Sequence, residues 1–496
     1  METPVEGKTY GPILAVPRLQ QGVLTLPAIA TATMANIAPA MSFYFSFALI
    51  AGAAGVGGPL IIILAMIAIA LLGNTLSEFV RVIPSTGSFI TFIGKGLGPV
   101  MAIITAIVIG MGYILAMASV IDISGGWTQI IIQHYLHTNI PWQPLTLVLT
   151  LLVFYLMVRG IQLSTAWAGV FFALEMAVLV IVSVIVLATN HAHLSGAPFN
   201  PGSILGGVNG LGLAFPIAVY MFIGWENSAG LAEETNDPRS NVPKAVYASI
   251  ALMGASYILF SYATVISFHD NVKGMSSALV PFINAAQAAG GFLALLAYIA
   301  GFTSTMGAMI AGSNSQSRLI FNAAREGLLP RQLAQVTSTA RTPWASFALF
   351  LGFGLAVVYI FGWTVEPVTF FGDISTLGTI LVALVYLVTN IALPVYYQRN
   401  HPDLFNPIRH IILPVLGVLA IGFPLWGLVQ PNQPSPFNYF PWIALGIIVV
   451  AILYALILNR RDPTLGDRVG SIVADREIEE PEPQRSTAQS TPQPAE

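Results

Sequence analysis

Two glutamates stand where a carboxylate is costly. Glu226 falls in the apolar stretch Gly210 to Pro238, GLGLAFPIAVYMFIGWENSAGLAEETNDP, and Glu175 falls in another, IQLSTAWAGVFFALEMAVLVIVSV. A charge at bilayer depth costs about 2.5–3.5 kcal/mol on insertion scales, so such a group faces a partner or a wet cavity. At ~1.5 Å per residue Glu226 lies past the midplane counted from Gly210, and Glu175 lies ~16 Å in from Ser164. No lysine or arginine within the apolar runs is placed to pair with Glu175. Both residues suit a proton-coupling or gating role. The plain alternative for each is a structural carboxylate held by hydrogen bonds.

The backbone around Glu226 is weakened as well. Pro216, Gly224 and Gly230 interrupt or loosen the helical ladder, and Tyr220, Phe222 and Trp225 flank the weak point. Aromatics there can close over a ligand, or simply pack against core and lipid. An earlier run, TATMANIAPAMSFYF, carries Asn36 and Pro39 near its middle. Proline removes a backbone donor and clashes with the carbonyl four residues back, which breaks or kinks a helix. Irregular backbone inside a membrane is tolerated where protein or water satisfies the freed groups. Two such interruptions, five runs apart, are the signature of an inverted repeat with a transport site at the junction; the plain alternative is a proline kink in the first run.

Other chemistry is missing. Gly94-Lys95 lacks the spacing and the Ser/Thr of a phosphate loop, and no ATPase module is present. His191 and His193 have no further ligands near them in sequence, so no metal site is expected. No nucleophile–base arrangement stands out, and neither an enzyme nor a cofactor is expected. Asp122 and Asp373, near the outer ends of their runs, and Glu78, near an inner end, are expected at the membrane interface.

These groups require a membrane scaffold. Of 496 residues 55% are hydrophobic and 8% charged, with mean hydropathy +0.77; soluble domains carry about 25% charged residues. The net charge of −3 gives no reason to expect nucleic acid, and there is no cysteine for disulfide or thiol chemistry. Runs long enough to span fall at about 26–50, 58–80, 98–121, 144–158, 164–189, 210–233, 243–267, 291–320, 343–361, 368–396, 411–429 and 440–458, twelve in all. With both termini cytoplasmic, 18 of 19 Lys and Arg residues fall on the inner side and only Lys273 falls outside, the bias expected of a correctly counted topology. Met1–Gln21 is polar, so no cleavable signal is expected. The segment 460–496, rich in Pro, Glu, Ser, Thr and Gln, is expected to be a disordered cytoplasmic tail.

Three stretches carry a resemblance. FIGWENSAGLAEETNDPRSNVPKAV (Phe222–Val246), PSTGSFITFIGKGLGP within Phe79–Pro99, and SRLIFNAAREGLLP (Ser317–Pro330) followed by Thr342-Pro343 resemble the amino acid–polyamine–organocation permeases. That resemblance implies a leucine-transporter-type fold: an all-α polytopic protein of twelve helices, with a 5+5 inverted repeat and helices 1 and 6 discontinuous. Residues 1–25 form a cytoplasmic segment, 26–189 and 210–398 the repeats, and 409–459 the last two helices. It also implies a substrate held at Asn36, Ile37, Ala38, Pro39, Ala40 and Met41 of helix 1, at Tyr220, Phe222, Gly224 and Trp225 of helix 6, and at Ser313 of helix 8. Glu226 matches a gate glutamate. Glu175 falls where certain proton-coupled members have a lysine.

Helix 1 departs from the pattern: Ala38-Pro39-Ala40-Met41 replaces a Gly-Ser-Gly-like stretch whose amides hold a substrate carboxylate. The amides of Ala40 and Met41 remain available for that role at the start of the second half-helix; a proline there also resembles polyamine carriers. The reading is a gradient-driven, proton-coupled plasma-membrane transporter of amino acids or related amines that works by alternating access. A polyamine importer or a substrate–product exchanger of the same fold is the alternative, with a channel or a sensor further behind. The small-molecule substrate, a coupling ion and the lipid bilayer are the expected partners, and oligomeric state is left open.

Overall fold

A computed structural model describes residues 19–428, 430, 433 and 435–472. The chain there is helical throughout, apart from turns and a single bridge between Leu24 and Thr235. Residues 1–18 and 473–496, which hold most of the N-terminal segment and of the tail, lie outside the described residues.

The first helix, α1 (Leu26–Ile37), stops at Ala38, and α2 (Pro39–Ala54) resumes at once. The cause is local. Pro39 cannot donate to the ladder, and a residue before proline is pushed out of the helical region. Ala38 adopts φ 55°, ψ 71°, a left-handed conformation that costs an L-residue roughly 1–2 kcal/mol. After a short turn come α3 (Gly58–Val82), the small α4 (Ser88–Leu97), α5 (Pro99–Leu136), α6 (Trp142–Val158) and α7 (Ile161–Thr189).

The second interruption follows α8 (Val208–Tyr220), which passes through Pro216 without breaking. Instead the chain leaves the helix at Met221, turns through Gly224 at φ 107°, and re-forms only as α9 (Asn227–Gly230) and a 3-10 turn, Ala232–Glu234. Then follow α10 (Pro238–Ser267), the short α11 (Val272–Ser277) and α12 (Pro281–Ala289), α13 (Gly291–Arg325), α14 (Trp344–Val357), α15 (Pro367–Asn400), α16 (Leu413–Leu428), α17 (Phe440–Arg461) and α18 (Leu465–Arg468).

Nine helical stretches among the described residues are long and apolar enough to cross a membrane. The sequence expectation was twelve. Hydropathy and length separate the two numbers, because α1 to α3 run on as one stretch, Leu26–Val82, while α6 and α8 have only 17 and 13 residues. α5 and α15 cross closely, since Gly112 and Gly378 leave their backbones in contact: a methyl on Gly378 would lie 2.8 Å from the Gly112 carbonyl oxygen. Small residues allow this kind of approach between membrane helices. On the outside α17 displays Trp442, Val450, Leu453 and Ile457, an apolar face that lipid, not water, would cover.

Two acids expected at the membrane interface are buried within the protein. Glu78 packs against Arg81 at 3.1 Å and Arg409 at 3.7 Å, which supply the counter-charge its burial requires, and its Oε2 lies 3.1 Å from His410 Nε2. Asp122 is wholly buried, and neither carboxylate oxygen has a hydrogen-bond partner among the described residues. It lies on α5, a helix 38 residues long that runs on to Leu136, so the residue does not stand at the end of its helix.

The start of the C-terminal tail is folded against the bundle. Leu465 and Val469 are buried, Gly470 donates its N–H to Glu326 at 3.0 Å, and Ser85 donates to the Ile472 carbonyl at 3.0 Å. Burial lifts the Glu326 carboxyl to about 7, opposed by Asn322, Gly470, Arg325 and Lys95. The Gly470 N–H holds this carboxyl from the tail side, so Glu326→Ala is expected to loosen the tail and to speed tryptic cleavage after Arg468 several-fold. An unchanged cleavage rate would disconnect Glu326 from docking.

Candidate functional site

The two interruptions meet. Gly224 lies so close to Asn36 that a methyl group on it would stand 2.7 Å from Asn36 Nδ2 and 3.1 Å from the Asn36 carbonyl. Each break exposes peptide groups, and neighbouring helices satisfy them. At the first, Ala40 N–H donates to Glu175 Oε2 at 3.2 Å, Met41 N–H to Ser304 Oγ at 3.1 Å, and Ser42 Oγ to the Ile37 carbonyl at 2.6 Å. At the second, Gly224 N–H donates to Glu226 Oε2 at 3.1 Å, and Tyr113 donates to Glu226 Oε1 at 2.8 Å. Tyr257 donates to the Met221 carbonyl at 3.0 Å and Ser315 to that of Asn227 at 2.7 Å. Non-helical backbone survives in a membrane under this condition.

Between the breaks lies a cavity of about 50 Å³, lined by Asn36, Met41, Tyr220, Gly224, Gln316 and Thr379 among others. Small-molecule sites usually run to about 300–1,000 Å³, so the conformation described is contracted around it. Its lining is uncharged and mixes the polar Asn36, Ser42, Tyr220, Gln316 and Thr379 with apolar side chains such as Met41, Met117, Val120 and Val382. No acidic or basic side chain contributes.

Of the residues singled out from sequence, Asn36, Met41, Tyr220 and Gly224 line this cavity. Ile37, Ala38, Pro39 and Ala40 form the break itself and are buried. Phe222 turns away and meets Tyr257 edge-on, ring centres 5.4 Å apart; Trp225 likewise packs on Tyr386 at 5.6 Å. Ser313 is buried against Met117 Sδ at 3.8 Å, and Gln316, three residues on, lines the cavity in its place. Glu175 and Glu226 sit behind the two breaks and do not line the cavity. Sequence reasoning missed Gln316, Thr379, Ser304 and Tyr113, none of which carries a signal apart from its neighbours.

A second cluster fastens the end of the bundle where residues 19–25, the strap ahead of α1, lie. Glu234 forms a two-point ion pair with Arg318, at 2.5 and 3.0 Å, and Glu233 pairs with Arg325 at 2.6 and 3.1 Å. Leu19 N–H donates to Glu233 at 3.2 Å, and Glu233 N–H donates to Thr86 of the link before α4 at 3.1 Å. The acidic pair that follows the second break thus ties together the strap, the α3–α4 link and the end of α13.

The family model described as "Amino acid permease" matches residues 22–453, from the strap through both breaks into α17. The chain belongs to the amino acid permease family. The resemblance read from the three sequence motifs is thereby upheld, and the permease is a multi-pass membrane protein of the amino acid–polyamine–organocation superfamily. It is 24% identical over 429 residues to the methylthioribose transporter of Bacillus subtilis, with 80% of this chain and 86% of the relative covered. It is also 24% identical over 434 residues to the branched-chain amino acid permease BcaP of the same organism, with the same coverage. In fold the permease is similar to the manganese transporter of Eremococcus coleocola, with a TM-score of 0.54 at 13% identity, covering 88% of this chain and 95% of that one.

Proposed function

We propose that the permease is a secondary-active transporter of amino acids or related amines, working by alternating access at the paired breaks. Twelve crossings arranged as two inverted five-helix halves plus α16 and α17, with both termini cytoplasmic in the plasma membrane, complete this reading. The observation that carries it is the contact of Asn36 with Gly224 beside an uncharged cavity in a chain of this family. Relatives named for methylthioribose and for branched-chain amino acids leave the substrate range broad. Asn36, Met41, Tyr220, Gly224, Gln316 and Thr379 hold the substrate. Ile37 to Ala40 shape the break, and Phe222, Trp225 and Ser313 support it from behind.

Glu175 and Glu226 each bond a backbone amide at a break, so adding or removing a proton alters the groups that hold the broken helices. Proton coupling through these two carboxylates follows. In proteoliposomes an acid-outside pH gradient is expected to raise uptake of labelled amino acids or amines several-fold over no gradient. A protonophore abolishes the gain, and Glu175→Gln loses it while retaining counterflow. Undiminished gradient dependence in Glu175→Gln would remove Glu175 from coupling; absence of saturable uptake for every compound would remove the transport reading.

A further inference from the structure

The start of a helix presents its first few N–H groups to any anion nearby. At α2 none is free. Pro39 has no N–H. Ala40 donates to Glu175 at 3.2 Å, Met41 to Ser304 at 3.1 Å, and Ser42 to the Ala38 carbonyl at 2.8 Å. Glu175 and Ser304 are thus the acceptors at this end of the helix. Both side chains are wholly buried, and neither lines the cavity. The protein's own carboxylate therefore occupies the position at which the sequence placed an incoming one.

We infer that Glu175 stands in for a substrate carboxylate, so that the permease takes small amine-bearing solutes that lack a free carboxylate. The inference rests on the transport reading above and narrows its substrate class. Three observations support it. A substrate carboxylate reaching the Ala40 N–H would have to displace Glu175 from it. No lysine or arginine lines the cavity to offset the negative charge a free carboxylate brings. Gln316 also lines the cavity, and its Oε1 has no hydrogen-bond partner among the described residues, so a turn of the side chain presents an acceptor to an ammonium group, which is all donor.

The test uses full-length permease in detergent and matched pairs of an amino acid and its decarboxylated amine: leucine with isopentylamine, phenylalanine with phenethylamine, and lysine with cadaverine, together with leucinamide. A ligand that binds the folded state raises its melting temperature by mass action. In at least one pair the amine is expected to half-saturate the shift at a concentration at least tenfold below that of the amino acid, with leucinamide behaving as an amine. In Glu175→Ala the Ala40 N–H is released, and the amino acid is expected to gain at least tenfold relative to its amine. Ser304→Ala, which frees only the Met41 N–H, serves where Glu175→Ala does not fold, with a smaller shift in the same direction. Amino acids binding as tightly as their amines in the unmodified protein would overturn the inference and leave the transport reading intact. No thermal response to any of these compounds would overturn both.

Discussion

Arg318→Ala is expected to destabilise the permease by about 3–5 kcal/mol, the usual consequence of removing one partner from a buried ion pair. Arg318 has no solvent exposure, and it holds Glu234 through two bonds and the Asn314 carbonyl through a third at 2.5 Å. Its guanidinium also lies over Phe347, 5.4 Å from the ring centre. Alanine leaves Glu234 buried and charged with no cation in reach of the same geometry. Arg318→Lys is expected to recover only part of the loss, since an ammonium is a point charge and cannot make the two-point fork. The double variant Arg318→Met/Glu234→Met is expected to be more stable than Arg318→Ala alone, because desolvating a pair consumes much of what the pair returns. Thermal unfolding of all four proteins in one detergent measures the series. An Arg318→Ala melting curve that overlays the parent would show that Glu234 finds another partner.

That ion pair also shows what the sequence holds and what it withholds. Glu233 and Glu234 stand in plain view after the weak stretch, and Arg318 and Arg325 stand in the motif SRLIFNAAREGLLP. Their separation of 84 and 92 residues leaves no periodic trace, so the two motifs read as independent marks until the fold joins them. Glu78 repeats the point: its neighbour Arg81 is legible as an adjacent helical turn, whereas Arg409 and His410 are not. Composition and apolar run length sufficed to identify an all-helical membrane protein. Length alone failed at α8, where the turn at Met221 leaves a helix too short to qualify.

The candidate site divides on similar lines. Pro39 announces the first break because its effect on the ladder is covalent and local. Side-chain direction is not local. Tyr220 closes a helical turn and points into the cavity. Phe222 and Trp225 lie in turns without the 3.6-residue period, so nothing in their spacing tells which way they face. On α13 the offset from Ser313 to Gln316 is a matter of helix phase. Residues 303 to 324 of α13 are buried on every side, so no polar stripe remains from which to read that phase.

Gly224→Ala is expected to reduce transport more than tenfold while the protein still inserts and folds. The backbone there has φ 107°, which an alanine occupies only at a cost of about 1–3 kcal/mol. The added methyl would in addition stand 2.7 Å from Asn36 Nδ2 and 3.1 Å from the Asn36 carbonyl carbon and oxygen. Asn36 has little room to retreat. On its far side a methyl on Gly312 would come within 2.4 Å of Asn36 Oδ1 and 2.9 Å of Met117 Cε, so the asparagine occupies a slot between two glycines. The two contacts differ in kind, and a pair of double variants separates them. Gly312→Ala meets only side-chain tips, so Asn36→Ala is expected to restore much of the thermal stability that Gly312→Ala loses. Gly224→Ala meets the Asn36 backbone as well, and Asn36→Ala is expected to leave that defect in place. Stability recovered equally in both backgrounds would mean that the breaks touch through the Asn36 side chain alone, and that a backbone contact between the two opened helices plays no part in holding the site.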